Sequence, residues 1–258
     1  MLSISVKCFE ICQKHSDNSQ IRFCATVGLA VESANVVGYA SGTLRQGNKA
    51  VGTQFVAVSG DVIDLTDIKV IGYDPESGTE GDVNVQILDA HGKAGMSYFY
   101  YDVPGDFTAW LDGNDEEVSA GTLTLAAGEG LWVSAPDATY SLQTAGQVPT
   151  TGIAVALRQG NKVVVNSTPV DVDLTEIDVT GYDTESGTEG DVNVQILDAH
   201  GKAGMSYFYY DVPGDFTAWL DGNDEEVSAG TLVIGPGEGM WVSAPSTAFS
   251  LVLPGVTL

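Results

Sequence analysis

ESGTEGDVNVQILDAHGKAGMSYFYYDVPGDFTAWLDGNDEEVSAGTL, residues 76–123, recurs without a single change as residues 185–232. A period near 109 residues is too long for a solenoid repeat and suits one complete domain per copy. Within the stretch, DVNVQIL (82–88) alternates Val83, Val85 and Ile87 with Asn84 and Gln86, the period of two of a strand with one buried face. Strands are also predicted at 96–101, 107–111, 130–135 and 139–142, with Gly, Pro and Asp between them. No window of eleven or more residues keeps an apolar spacing of three and four, and only 64–68 reads as one helical turn. About eight short strands at roughly 8–12-residue spacing predict an all-β fold, two tandem β-sandwich (or small barrel) domains arising from an internal duplication. The expected core of the first copy is Val83, Val85, Ile87, Phe99, Trp110, Leu123, Leu131 and Val133.

The flanks of the repeat match less closely: LRQGNK begins at Leu44 and again at Leu157, and GEGLWVSAP at Gly128 becomes GEGMWVSAP at Gly237. The copies are therefore taken as 35–147 and 148–258, joined by the small, polar segment TAGQVPTTG. All three cysteines, Cys8, Cys12 and Cys24, lie in the first tenth of the chain, so packing rather than disulfides must hold the copies together. Residues 1–34 read as a signal or leader segment, because FCATVGLAV (23–31) is an apolar run after Arg22 with a small-residue exit. That run is too short to span a bilayer, so no membrane insertion of the mature chain is expected.

The opening Ala34-Asn35-Val36-Val37-Gly38-Tyr39, together with the GEGxWV strand of each copy, resembles a class of secreted bacterial β-rich proteins whose mature chains begin A-N-[IV]-V-G-Y. The resemblance brings no activity, but it implies export. The expected location is therefore secreted or at the cell surface.

The chain carries a formal charge of -25, and removing residues 1–34 leaves it unchanged because three acids and three bases leave together. Such a surface repels phosphate backbones and anionic lipids, so nucleic acid is not an expected partner. Catalytic signatures are sparse. His91 and His200 are one position in two copies, neither Ser77 nor Ser97 sits in a strained G-x-S-x-G turn, and the glycine-rich GTEGDV and GPGEG lack the lysine of a phosphate-binding loop. The chain is read as not an enzyme, and no cofactor is implied.

Calcium is the one metal carried forward, because hard cations take oxygen ligands from dense acidic loops. The candidate ligands are Asp112, Asn114 and Asp115, with twins Asp221, Asn223 and Asp224, although the spacing departs from an EF-hand: Glu117 replaces the turn glycine. The aromatic run 98–101 offers a second feature. Tyr98 and Tyr100 would point one way and Phe99 and Tyr101 the other. Tyr98, Tyr100 and Trp110, with Tyr207, Tyr209 and Trp219, are the candidate ligand-binding residues for a sugar ring. Asn166-Ser167-Thr168 matches a glycosylation acceptor.

Two functions follow from these features. The first is an exported, non-enzymatic structural or interaction protein whose two acidic modules engage other copies of the chain or other surface proteins. The alternative is a glycan-binding, lectin-like module, assisted by calcium.

Overall fold

The computed structural model describes residues 37–44, 47–57, 62–72, 83–88, 94–103, 105–135, 140–157, 160–181, 192–197, 203–212, 216–244 and 249–257. Residues 1–34, expected to be a leader segment, and His91 and His200 lie outside the described residues. Residues 35–258 belong to one compact unit.

The first copy forms β1 (Val37–Leu44), β2 (Gly47–Val51), β3 (Val62–Asp64), β4 (Lys69–Ile71), β5 (Val83–Leu88), β6 (Ala94–Val103), β7 (Phe107–Leu111), β8 (Thr124–Ala126), β9 (Leu131–Ala135) and β10 (Tyr140–Gln147). The second forms β11 (Ile153–Leu157), β12 (Gly160–Val165), β13 (Val172–Asp173), β14 (Asp178–Thr180), β15 (Val192–Leu197), β16 (Ala203–Val212), β17 (Phe216–Asp221), β18 (Val233–Ile234), β19 (Gly239–Ala244) and β20 (Phe249–Leu253). The fold is all-β. The predicted helical turn is a single 3-10 turn, Leu65–Asp67, mirrored by Leu174–Glu176. Asp64 and Asp173 cap these turns by accepting the backbone N–H of Thr66 and Thr175.

Each copy builds the same set of sheets: a five-stranded sheet in the order β2-β9-β5-β6-β7, a three-stranded sheet β1-β10-β4 and a two-stranded sheet β3-β8. Their counterparts are β12-β19-β15-β16-β17, β11-β20-β14 and β13-β18. No closed barrel forms among the described residues; the sheets stay separate and face one another across the core. In the first copy, Val83, Val85, Trp110, Leu131 and Val133 of the large sheet meet Val70, Tyr140 and Leu142 of the small one. Ile87 and Leu123 pack on the edge of that cluster, as expected from their pattern.

Phe99 is a correction, because it lies on the opposite face from Val83 and Val85. In the β5–β6 ladder Val83 is paired with Tyr100 and Val85 with Tyr98. Directly opposite residues share a face, so the buried valines carry these two tyrosines inward and turn Phe99 out. A register shift between Gln86 and Leu88 sets this phase, and the alternation of one strand does not reveal it.

The flanking motifs LRQGNK and GEGxWV recognise each other across the two copies. Lys49 of the first LRQGNK pairs with Glu238 of the second GEG segment, and Lys162 of the second pairs with Glu129 of the first. Backbone bonds run the same way: Gly52 N–H donates to the Gly237 carbonyl at 3.0 Å and Val165 N–H to the Gly128 carbonyl at 2.9 Å. The indoles of Trp132 and Trp241 meet edge to face with centroids 5.5 Å apart, over a small apolar cluster of Ala50, Val163 and Val165. Residue i of one copy thus contacts j of the other, and j contacts i, the arrangement of an isologous two-fold interface within one chain.

Glycine is what lets the backbones approach. A Cβ on Gly130 would lie 2.4 Å from methyls of Val163 and Val165, and one on Gly239 would lie 2.8 Å from Ala50. Gly128 is tighter still, at 2.2 Å from a Val155 methyl, and it also sits at φ +78°.

Gly130→Ala should destabilise the protein by about 2 kcal/mol through overpacking of the junction, whereas Gly113→Ala, which meets nothing within 4 Å, should change it little; thermal denaturation of the two variants checks this. The junction also predicts a pH dependence. Burial raises the pKa of Glu129, but the hydrogen bond from Lys162, the Ala126 N–H and the lysine charge outweigh it and leave the carboxyl below its ordinary 4.5. Its stabilisation is then complete above that value and is lost as pH falls through the lowered folded value. The melting temperature should decline below about pH 4.5 less steeply in Glu129→Gln, at a neutral-pH loss of about 1 kcal/mol.

Candidate functional site

The inward face of β6 runs from core to surface along its length. Tyr100 packs edge to face on Trp110, centroids 5.2 Å apart, and the Trp110 indole N–H donates to the Ile68 carbonyl at 2.9 Å. The second copy repeats this with Tyr209, Trp219 and the Ile177 carbonyl. Two residues toward the strand's start, Tyr98 is 5% exposed; two further, Met96 is 55% exposed. The core therefore opens at Met96, and the opening is roofed by the chain that leaves β7.

These positions correct the sugar-stacking expectation. Tyr98, Tyr100, Trp110, Tyr207, Tyr209 and Trp219 are all buried, so none offers a ring face to a flat ligand. The register described above is the physical reason. The outward, partly exposed pair is Phe99 and Tyr101.

After β7 the chain turns at Asp112-Gly113-Asn114-Asp115-Glu116 and returns beside its own strand, with Val118 N–H donating to the Trp110 carbonyl at 2.8 Å. Asp112 organises this turn. Its Oδ1 accepts the backbone N–H of Asn114 at 2.8 Å and of Glu116 at 3.1 Å, and its Oδ2 accepts from Asn114 Nδ2 at 3.3 Å. These donors favour the ionised form and hold the Asp112 pKa below the ordinary aspartate value, against a small opposing effect of burial. Asp115 stands at the turn's left-handed position with φ 62°, a conformation aspartate tolerates better than most side chains. Asp221, Asn223 and Asp224 repeat the geometry, Asp224 at φ 60°.

The candidate calcium ligands are thus drawn together, but by hydrogen bonds among themselves. Among the described residues no group of three or more His, Cys, Asp or Glu side chains converges to hold a metal. The turn's mutual repulsion is relieved by backbone N–H groups pointing at Asp112.

Between this turn and β6 lies a cleft of about 240 Å³ whose walls include Met96, Tyr98, Asp112, Glu116, Glu117 and Val118. It brings together one residue of each candidate set, Tyr98 and Asp112. In the second copy the partners Tyr207 and Asp221 stand directly opposite each other in the β16–β17 ladder. Sequence reasoning missed Met96, Glu116, Glu117 and Val118; the signal available was that the exposed end of β6 and the acidic turn flank the same strand.

The Ser97 hydroxyl accepts a hydrogen bond from Gln86 Nε2 at 3.1 Å. The glycosylation reading of Asn166 is corrected. Asn166, Ser167 and Thr168 are fully buried, and Asn166 Nδ2 donates to the carbonyls of Val170 at 2.8 Å and Ile234 at 2.9 Å. The amide that would carry a glycan instead ties two loops together beside the junction. Compared with protein-family models, curated proteins and solved structures, the chain matches none.

Replacing Asp112 by Ala removes three acceptor contacts from an exposed turn. By analogy with the loss of a helix cap, the turn should loosen. Amide hydrogen exchange at Asn114 and Glu116 should accelerate roughly fivefold while the core amides keep their rates; unchanged exchange would mean that the backbone bonds alone hold the turn.

Proposed function

We propose that the protein is an exported, non-enzymatic interaction module of the cell surface or extracellular space, presenting two equivalent acidic faces to its partners. The observation that carries this reading is the reciprocal junction. It holds two copies of one surface in a fixed relation, a geometry suited to binding two sites on one partner or two neighbours at once. Linking equivalent sites in this way raises overall avidity through effective concentration without any new contact.

The high negative charge supports a soluble, self-repelling exterior and partners of positive charge. Among the described residues no helix is long and apolar enough to cross a membrane. The lectin-like alternative draws less support, because the aromatic rings on which it relied are turned inward. Export rests on the apolar run 23–31 and the A-N-V-V-G-Y opening.

Fractionation of the producing cells followed by intact-mass and N-terminal analysis tests the reading. The expected product lies outside the cytoplasm and begins near Asn35; a full-length chain confined to the cytoplasm would overturn it.

A further inference from the structure

We infer that the cleft beside the acidic turn, and its twin in the second copy, binds the side chain of a lysine or arginine presented by a partner polypeptide. This rests on the interaction-module reading and names what the module holds. The argument begins with Tyr98. It is 95% buried by its 5% exposure, yet its hydroxyl makes no hydrogen bond among the described residues, and it lines the cleft. Tyr207, at the equivalent position of the second copy, is 6% exposed. Among the described residues the buried side-chain polar atom left without a partner is Asn84 Oδ1 and not a tyrosine oxygen, so the Tyr98 hydroxyl is reached by solvent although its ring is buried, the usual way an amphipathic tyrosine keeps its polar tip wet. Here the group is aimed at space that a ligand can enter.

The rest of the wall specifies the ligand. Met96 and Val118 supply an apolar surface, Glu116 and Glu117 supply carboxylates, and Ser119 and Thr122 complete the wall. Lysine and arginine match this order, because their methylene stems lie along apolar surface while the charged head stays among acceptors and water. The Tyr98 oxygen can accept one N–H of the head as the glutamates balance its charge. A bare calcium ion matches less well: it needs six to eight oxygen ligands, Met96 and Val118 offer it none, and Asp112 is already accepting three hydrogen bonds.

Volume decides between a side chain and a whole small molecule. Pockets that enclose drug-sized ligands run about 300–1,000 Å³, and this cleft is about 240 Å³. It takes one side chain whose backbone stays outside. The second copy carries the same residues in Met205, Tyr207, Asp221, Glu225, Glu226 and Val227, so the partner would present two basic side chains, one to each copy.

The methionines make the test direct. With methyl-13C methionine in the full chain, Met96 and Met205 report on the clefts, while Met240 is fully buried and serves as the internal control. Titration with acetyl-lysine N-methylamide should shift the Met96 and Met205 signals saturably and leave Met240 still. The ε-acetylated analogue, with the same stem and no charge, should not shift them. The pair Glu117→Gln and Glu226→Gln, exposed and charge-neutralising, should weaken binding roughly threefold, and the pair Tyr98→Phe and Tyr207→Phe should weaken it as well.

Equal shifts with the acetylated analogue, or no shift with either, would overturn the proposal. Saturable shifts with calcium but none with lysine would assign the cleft to a metal instead, and putrescine binding as tightly as the lysine amide would replace the polypeptide by a free amine. Any of these results leaves the cell-surface reading standing, because that reading fails only if the chain stays in the cytoplasm.

Discussion

The rest of the structure hangs on the crossed recognition of two short motifs. The Gly-Glu-Gly segment leading into one β9-type strand lies against the strand that begins within the other copy's LRQGNK, so that Lys49 reaches Glu238 and Lys162 reaches Glu129. Each element of the motif has one physical task. The glycines remove the Cβ atoms that would collide with Val163, Val165 and Ala50, the glutamates neutralise lysines that would otherwise be half-buried without a partner, and the tryptophans fill the space above the apolar cluster. The energy of any one of these contacts is modest. Because each occurs twice under a common geometry, they act together and position both copies at once.

Away from the junction, each copy directs its chemistry to the opposite end of its large sheet. β2 and β12 lie at the junction edge, and β7 and β17 form the far edge. An edge strand exposes unpaired backbone groups and invites unwanted pairing. Here the chain folds back on the end of that edge through the acidic turn, with Val118 bonding to Trp110 and Val227 to Trp219. The turn therefore protects an edge and walls a cleft with the same residues. Dense charge suits both tasks: like charges discourage association between edges, and they create a potential that attracts cations.

Much of the architecture was legible in the residues. The period of two in Val83, Val85 and Ile87, the turn residues between short runs and the duplicated stretch were enough for an all-β reading, and most of the expected core is where the pattern placed it. The tyrosines were not legible in the same way. A run of four aromatics has two faces of nearly equal hydrophobicity, so composition cannot choose between Tyr98 with Tyr100 and Phe99 with Tyr101. The choice was made by pairing with β5 across a bulged ladder, information held in two strands together. Asn166 shows the same limit: a local triplet suggests a surface acceptor, while contacts with Ile234, 68 positions away, bury it.

The amino-acid sequence by itself determined the strand content, the doubling, the acidity and the lack of cysteine after Cys24, because these follow from local pattern and composition. Only the tertiary structure decided which face of β6 became core, that LRQGNK and GEGxWV are partners, and that Met96, Tyr98 and the acidic turn enclose a common space. Those outcomes depend on register and on contacts between residues distant in the chain, and no local preference encodes either.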